Sequence, residues 1–190
     1  CSLGTAVDVA SHAMEQASLV IGEITPDIPR TYGDTFVSLS EFDLLVKSED
    51  EPIYFKRWPF DDVYDQVAAN VASVIEDGSC ICFSIGPIYE ALAKHLTRKQ
   101  NLGIHTPFFT DALMDLVKSG AVTNRKKGSY RGKSLTSYAF GTRELMTWLD
   151  RNPLVEFQSI ESVFNPVQIG SNPNFVVVIP ARKVDLTGRI

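Results

Sequence analysis

A short apolar run that ends in a glycine turn and opens directly into a helix constrains this chain more than any other feature. Ser79 to Ile85 reads as a buried strand, Gly86-Pro87 turns the chain, and Ile88 to Leu96 continues as a helix with proline in its first turn. Before it, Asp61 to Glu76 reads as a helix. Asp61 or Asp62 caps it, Val63, Val67, Val71, Val74 and Ile75 form its apolar stripe, and Asp77-Gly78 ends it. The alternation then recurs. Strands are predicted at 102–105, 134–140, 154–158 and 175–179, the last as a buried strand. Helices are predicted at 110–119, with Thr110 as cap and Gly120 as stop, at 142–150, and near 166–169. Strands alternating with helices predict an α/β fold, a largely parallel sheet flanked by helices.

The first sixty residues are less regular. A helix is predicted over 5–17 and an apolar strand over 18–24. A loop is marked by Pro26, Pro29 and Gly33, and short extended segments are expected near 36–39 and 41–47. Residues 48–60 read as a surface excursion. In parallel sheets ligands sit at the carboxyl ends of the strands, which directs attention to two loops, Ser84-Ile85-Gly86-Pro87 and Gly103-Ile104-His105-Thr106-Pro107.

Composition narrows the function classes. The 190 residues are 44% hydrophobic and 22% charged with a net charge of −5, a balance that does not attract nucleic acid. No apolar run approaches the roughly 20 residues of a membrane span, and no signal peptide is visible. Cys80 and Cys82 would share one face of a strand, a poor arrangement for a disulfide, and His12, His95 and His105 are too scattered for a metal site. Buried, reduced cysteines and a cytoplasmic location are expected. The chain opens at Cys1 without Met and closes at Asp185 to Ile190 directly after an apolar run, which carries the expectation of a piece cut from a longer chain.

Five ordered segments resemble the acetyl-CoA hydrolase / 4-hydroxybutyrate CoA-transferase family. They are Pro29-Arg30-Thr31-Tyr32-Gly33-Asp34-Thr35-Phe36, Asp77-Gly78 with Ile85-Gly86, Leu102-Gly103-Ile104-His105-Thr106, Val122-Thr123-Asn124 with Lys126 or Lys127, and Val184-Asp185-Leu186-Thr187-Gly188. The resemblance implies a CoA-transferase-like architecture. Residues 1–60 would be the end of one such domain and its connecting segment, and 61–190 a second domain truncated at its C-terminal end. It implies coenzyme A esters and a small carboxylate as substrates and no covalently held cofactor, while charge, hydropathy and residue spacing carry the expectation of no metal and no nucleic-acid or membrane partner. The rest of a longer chain, and association into a homo-oligomer through exposed apolar surface, are the other expected partners.

The chemistry implied is covalent. A family glutamate attacks the thioester to give an acyl anhydride, CoA then attacks the anhydride to give a glutamyl-CoA thioester, and an acceptor carboxylate or water completes the cycle. Backbone amides of a glycine loop stabilise the oxyanion, each worth ~3–4 kcal/mol. Here the glutamate position is Pro107, and Ser84 replaces the first glycine of the loop. Near the end, Pro180 and Arg189 stand where the family usually has Asn and Gln. Either the nucleophile has moved, with Glu90 and Asp111 as candidates, or the chain binds CoA esters as a regulatory or non-catalytic module. The ordinary readings are a solvent-facing helix residue for Glu90 and a helix-start charge for Asp111. The resemblance places Ser84, Ile85, Gly86, Gly103 and His105 along the pocket. Five cations over 125–133, Lys126 and Lys127 among them, could hold CoA phosphates or form a solvated loop.

Overall fold

The computed structural model describes residues 1–181 and 183–188; Arg189 lies outside them. The strands and helices run in the order α1 (Ala10–Gln16), β1 (Ile21–Ile24), β2 (Tyr32–Gly33), β3 (Leu44–Lys47), α2 (Asp62–Val74), β4 (Cys80–Cys82), α3 (Pro87–Leu96), β5 (Gly103–Ile104), β6 (Phe108–Phe109), α4 (Asp111–Lys118), β7 (Ser134–Thr136), β8 (Tyr138–Ala139), α5 (Arg143–Leu149), β9 (Val155–Phe157), α6 (Ile160–Val163), α7 (Pro166–Gly170) and β10 (Phe175–Val177).

Every named strand pair is parallel. One three-stranded sheet has the order β10-β4-β5 and another β2-β9-β7. A parallel bridge between His105 and Leu135 joins them into a six-strand arrangement, β10-β4-β5-β7-β9-β2. Beyond that bridge the middle pair continues as β6 and β8. Thus the single strand predicted at 134–140 is two, divided at Ser137, and the segment after Pro107 is a strand that periodicity did not reveal. Pairing of β2 with β9 ties the first sixty residues into the same sheet. Gly33 is required there: its φ is +114°, and a Cβ would stand 2.0 Å from the Phe157 carbonyl oxygen.

The core lies between the sheet and the helices α2, α3 and α4. Phe83, Tyr89, Phe109, Phe157, Ile81, Leu92 and Met114 are fully buried. Each such side chain contributes about 1.5–3 kcal/mol of transfer free energy. Helix α2 starts as predicted, with the Asp61 carboxylate accepting from the Tyr64 amide at 3.0 Å, and Val71 and Ile75 of the expected stripe pack into the core, but the rest of its buried face is different. Ala68 and Ala72 are buried, whereas Val63, Val67 and Val74 are exposed, Val74 at 75%. The small residues let α2 lie close against α3, so proximity of backbones, not side-chain size, selected the inward face. Strand β10 also differs from its prediction: it is an edge strand, with Phe175 and Val176 half-buried and Val177 exposed. Strands β1 and β3 form a separate two-stranded parallel ribbon with exposed Ile21, Leu44, Leu45 and Val46.

Candidate functional site

The two loops singled out in the sequence follow adjacent strands, β4 and β5, and have opposite characters. After β4 the chain passes through Phe83 to Ser84, Ile85 and Gly86. Gly86 adopts φ +131° as the N-cap of α3, and a Cβ there would meet nothing within 4 Å. Ile85 is 44% exposed and Ser84 half-buried. This turn is open and sits at the amino end of a ten-residue helix whose first residue, Pro87, has no amide to satisfy. The Tyr89 hydroxyl donates to the Val178 carbonyl oxygen at 2.8 Å, fastening α3 beside the end of β10.

The loop after β5 is closed by hydrogen bonds on every side. Thr106 Oγ1 donates to the Phe83 carbonyl at 2.6 Å and accepts from the Phe83 amide at 3.1 Å, stitching β4 to β5. The Pro107 carbonyl accepts from the amides of Ser137 and Tyr138 at 3.2 and 2.9 Å and from Thr136 Oγ1 at 3.2 Å. Pro107 itself is buried. His105 is 1% exposed. Its Nε2 donates to the Val163 carbonyl at 2.7 Å and its Nδ1 accepts from Asn172 at 3.1 Å. Burial pushes its pKa down, with the nearby Lys127 charge adding to the effect.

Glu90, read from sequence as solvent-facing, is 8% exposed on α3. Arg57 grips one of its oxygens with two nitrogens, at 3.1 and 2.8 Å, and also pairs with Asp115 on α4. Burial raises the Glu90 pKa against the opposing pull of Arg57. Helical periodicity could not find this partner, because Arg57 lies in the irregular stretch before α2. Asp111 is 3% exposed. Its carboxylate accepts from the Thr142 hydroxyl and amide at 2.5 and 3.1 Å, so it holds not its own helix but Thr142, the N-cap residue of α5. Gly141 makes room for it: a Cβ there would be 2.2 Å from Asp111 Oδ2. The two candidate carboxylates are therefore each engaged in a packing role.

The basic loop divides in the same way. Lys127 is 4% exposed, and its ammonium donates to the Ile104 and Lys133 carbonyls, both at 2.8 Å. Burial brings its pKa down to about 8. Gly103 leaves space for the Lys127 stem, since a Cβ would stand 2.7 Å from Lys127 Cγ. Lys133 pairs with Glu156. Arg125 and Lys126 are exposed, with Lys126 lying along the Gly78 turn. Asn124 binds the Ile104 amide at 2.9 Å and Ser134 Oγ at 3.0 Å. Cys80 is a buried free thiol whose pKa burial pushes up to about 12, and Cys82 is a half-buried free thiol. Among the described residues no helix is long and apolar enough to cross a membrane.

Comparisons with known proteins agree on one family. Residues 141–190 match the acetyl-CoA hydrolase/transferase C-terminal domain. The whole chain is 37% identical to a 4-hydroxybutyrate coenzyme A transferase of Clostridium kluyveri, covering 44% of it. It is 32% identical to a succinyl-CoA:cyclohexane-1-carboxylate CoA transferase of Geobacter metallireducens, covering 43% of that protein. Among solved structures, RipA from Yersinia pestis matches 98% of this chain and 44% of its own, with a TM-score of 0.93 at 29% identity. A 4-hydroxybutyrate CoA-transferase from Porphyromonas gingivalis matches 93% of this chain and 45% of its own, with a TM-score of 0.87 at 32% identity. The chain thus spans less than half the length of the relatives it matches. With its parallel, helix-flanked sheet, it is similar along its whole length to part of the acetyl-CoA hydrolase / 4-hydroxybutyrate CoA-transferase family.

Proposed function

We propose that this chain supplies the CoA-ester-binding part of a protein that moves coenzyme A between an acyl-CoA thioester and a small carboxylate or water. The observation that carries this reading is the open Ser84-Ile85-Gly86 turn at the carboxyl end of β4 and the amino end of α3. Backbone can approach a thioester there without a Cβ in the way. Exposed Arg125, Lys126 and Arg131 are the cations left for CoA phosphates, whereas Lys127, Gly103 and His105 support the loops from behind. The names of the relatives, which transfer CoA to and from small acids, support the reaction class. The reading carries a division into 1–60 and 61–190, a cytoplasmic setting, and contact with the remainder of its own protein or a second copy through the exposed apolar ribbon.

A second reading is favoured by one specific set of contacts. Pro107 follows Gly103-Ile104-His105-Thr106, and the nearest alternatives, Glu90 and Asp111, are held by Arg57 and Thr142. Under this reading the protein binds CoA esters and does not form the covalent glutamyl intermediate within this chain. Mass spectrometry of the protein after incubation with acetyl-CoA and borohydride trapping separates the two. A trapped carboxylate outside this chain supports transfer with the nucleophile supplied elsewhere. Saturable acyl-CoA binding with no adduct supports the binding module. An adduct on Glu90 or Asp111 would contradict the packing roles given to both, and absence of any CoA-ester binding defeats both readings.

A further inference from the structure

Asn172, in the turn after α7, was not among the sequence candidates, yet three separate segments converge on its amide. It is 5% exposed. Its Oδ1 accepts from the Gly128 amide at 3.2 Å, and its Nδ2 donates to the Gln168 carbonyl at 3.0 Å. Those two bonds fix which way the amide points, since a backbone N–H must meet oxygen and a carbonyl must meet nitrogen. With the amide so fixed, Nδ2 also faces His105 Nδ1 at 3.1 Å and can only donate to it. His105 Nε2 in turn faces the Val163 carbonyl at 2.7 Å, which only accepts. Every partner therefore demands the neutral ring with its proton on Nε2. The Phe175 ring stands against His105 edge to face.

We propose that His105 and Asn172 form a lock that closes only around the neutral imidazole and holds the basic loop 125–133 and the α6–α7 segment against the carboxyl end of β5. Protonation at Nδ1 would set an N–H against the Asn172 N–H. Rotating the amide to present oxygen would in turn oppose the Gly128 N–H and the Gln168 carbonyl. Neither arrangement keeps all the bonds, so the charged ring favours an open loop. The group with a charge acting on His105 from the packed elements is Lys127, whose own position already opposes a second cation; Glu161 on α6 is exposed. The neighbourhood is tight, because Gly128 lies so close to Ser171 that a Cβ would stand 2.0 Å from its carbonyl oxygen. His105 and Asn172 are positioning residues in this scheme. The lock stands on these contacts alone; only its consequence for CoA phosphates, held by Arg125, Lys126 and Arg131, rests on the function proposed above.

The sign follows from burial. The folded environment lowers the His105 pKa, so the lock is intact above the unfolded value of roughly 6.5 and weakens as pH falls from there through the folded value. The test is hydrogen exchange of the protein between pH 7.5 and 5, corrected for the intrinsic rate, with the His105 tautomer read by nitrogen NMR. The expected result is an Nε2–H tautomer at pH 7.5 and at least a tenfold loss of protection confined to 125–133 and 160–172 on acidification. His105→Asn, whose oxygen can still accept from Asn172 and cannot titrate, should make that protection independent of pH. Asn172→Asp, which can accept from a charged ring, should remove or reverse the dependence. An Nδ1–H tautomer in the unmodified protein overturns the proposal without reference to any variant. So does unchanged loop protection, or a loss spread evenly over the whole fold.

Discussion

The loops after β4 and β5 are neighbours at the same end of one sheet, and both belong to segments that resemble the same family, yet they do different things. The Ser84–Gly86 loop leaves Ile85 exposed and open space beside Gly86. The His105–Pro107 loop is buried and hydrogen-bonded through Thr106, through the Pro107 carbonyl and through both ring nitrogens of His105. Family likeness marks both as important and does not say which one faces a ligand. Most of the matched polar groups lie on the support side. Asn124 bridges β5 and β7, Thr31 donates to the Gly4 carbonyl, and Thr35 to the Thr31 carbonyl. Side chains that bond buried backbone groups are as hard to replace as catalytic ones, because each leaves an unsatisfied group behind when lost.

This contrast can be broken most forcefully at Asp111. Asp111→Ala removes the acceptor for the Thr142 amide and hydroxyl under α5. It should cost about 3 kcal/mol in urea unfolding; a loss below about 0.5 kcal/mol would mean that the carboxylate is available for other work. Next comes Thr106→Val, which strands the buried Phe83 amide and carbonyl and should cost about 2 kcal/mol. In the open loop the expected effects are smaller. Gly86→Ala should destabilise by about 1–2 kcal/mol, from backbone strain alone, since φ +131° with ψ 175° is a region nearly reserved for glycine and no atom is in the way. A much larger cost would show that the turn is packed, and the contrast would fail. Ile85→Ser should change stability by less than about 0.5 kcal/mol while weakening acyl-CoA binding measured by calorimetry. Equal binding by the variant would remove Ile85 from the pocket.

Much of the fold was legible from local signals. The Asp61 cap, the Gly86-Pro87 turn into α3 and the stop at Gly120 are each fixed by a residue and its immediate neighbours. Thr110 does occupy the N-cap of α4, although its side chain makes no capping bond, so backbone conformation alone places it. Where the reading missed, a distant partner was responsible. The valines of α2 are apolar at helical spacing, but the face that meets α3 is the one bearing Ala68 and Ala72. Nothing along the helix says how near the next backbone will come.

The candidate site shows the same division. From sequence alone come the family resemblance, the alternating α/β order, the two loops at strand ends, and the expectation that Pro107 takes the glutamate position; these depend on residue identity and order. Only the tertiary structure decided that Glu90 is gripped by Arg57 from 33 residues away, that Asp111 holds the N-cap residue of a helix 31 residues on, and that His105 meets Asn172 across 67 residues. It also decided that Lys127 points inward while Lys126 faces solvent. The physical reason is that burial and hydrogen-bond saturation are properties of what surrounds a group. A carboxylate or an ammonium carries its chemistry in its identity, but whether that chemistry is free to act is set by partners that only folding brings within about 3 Å.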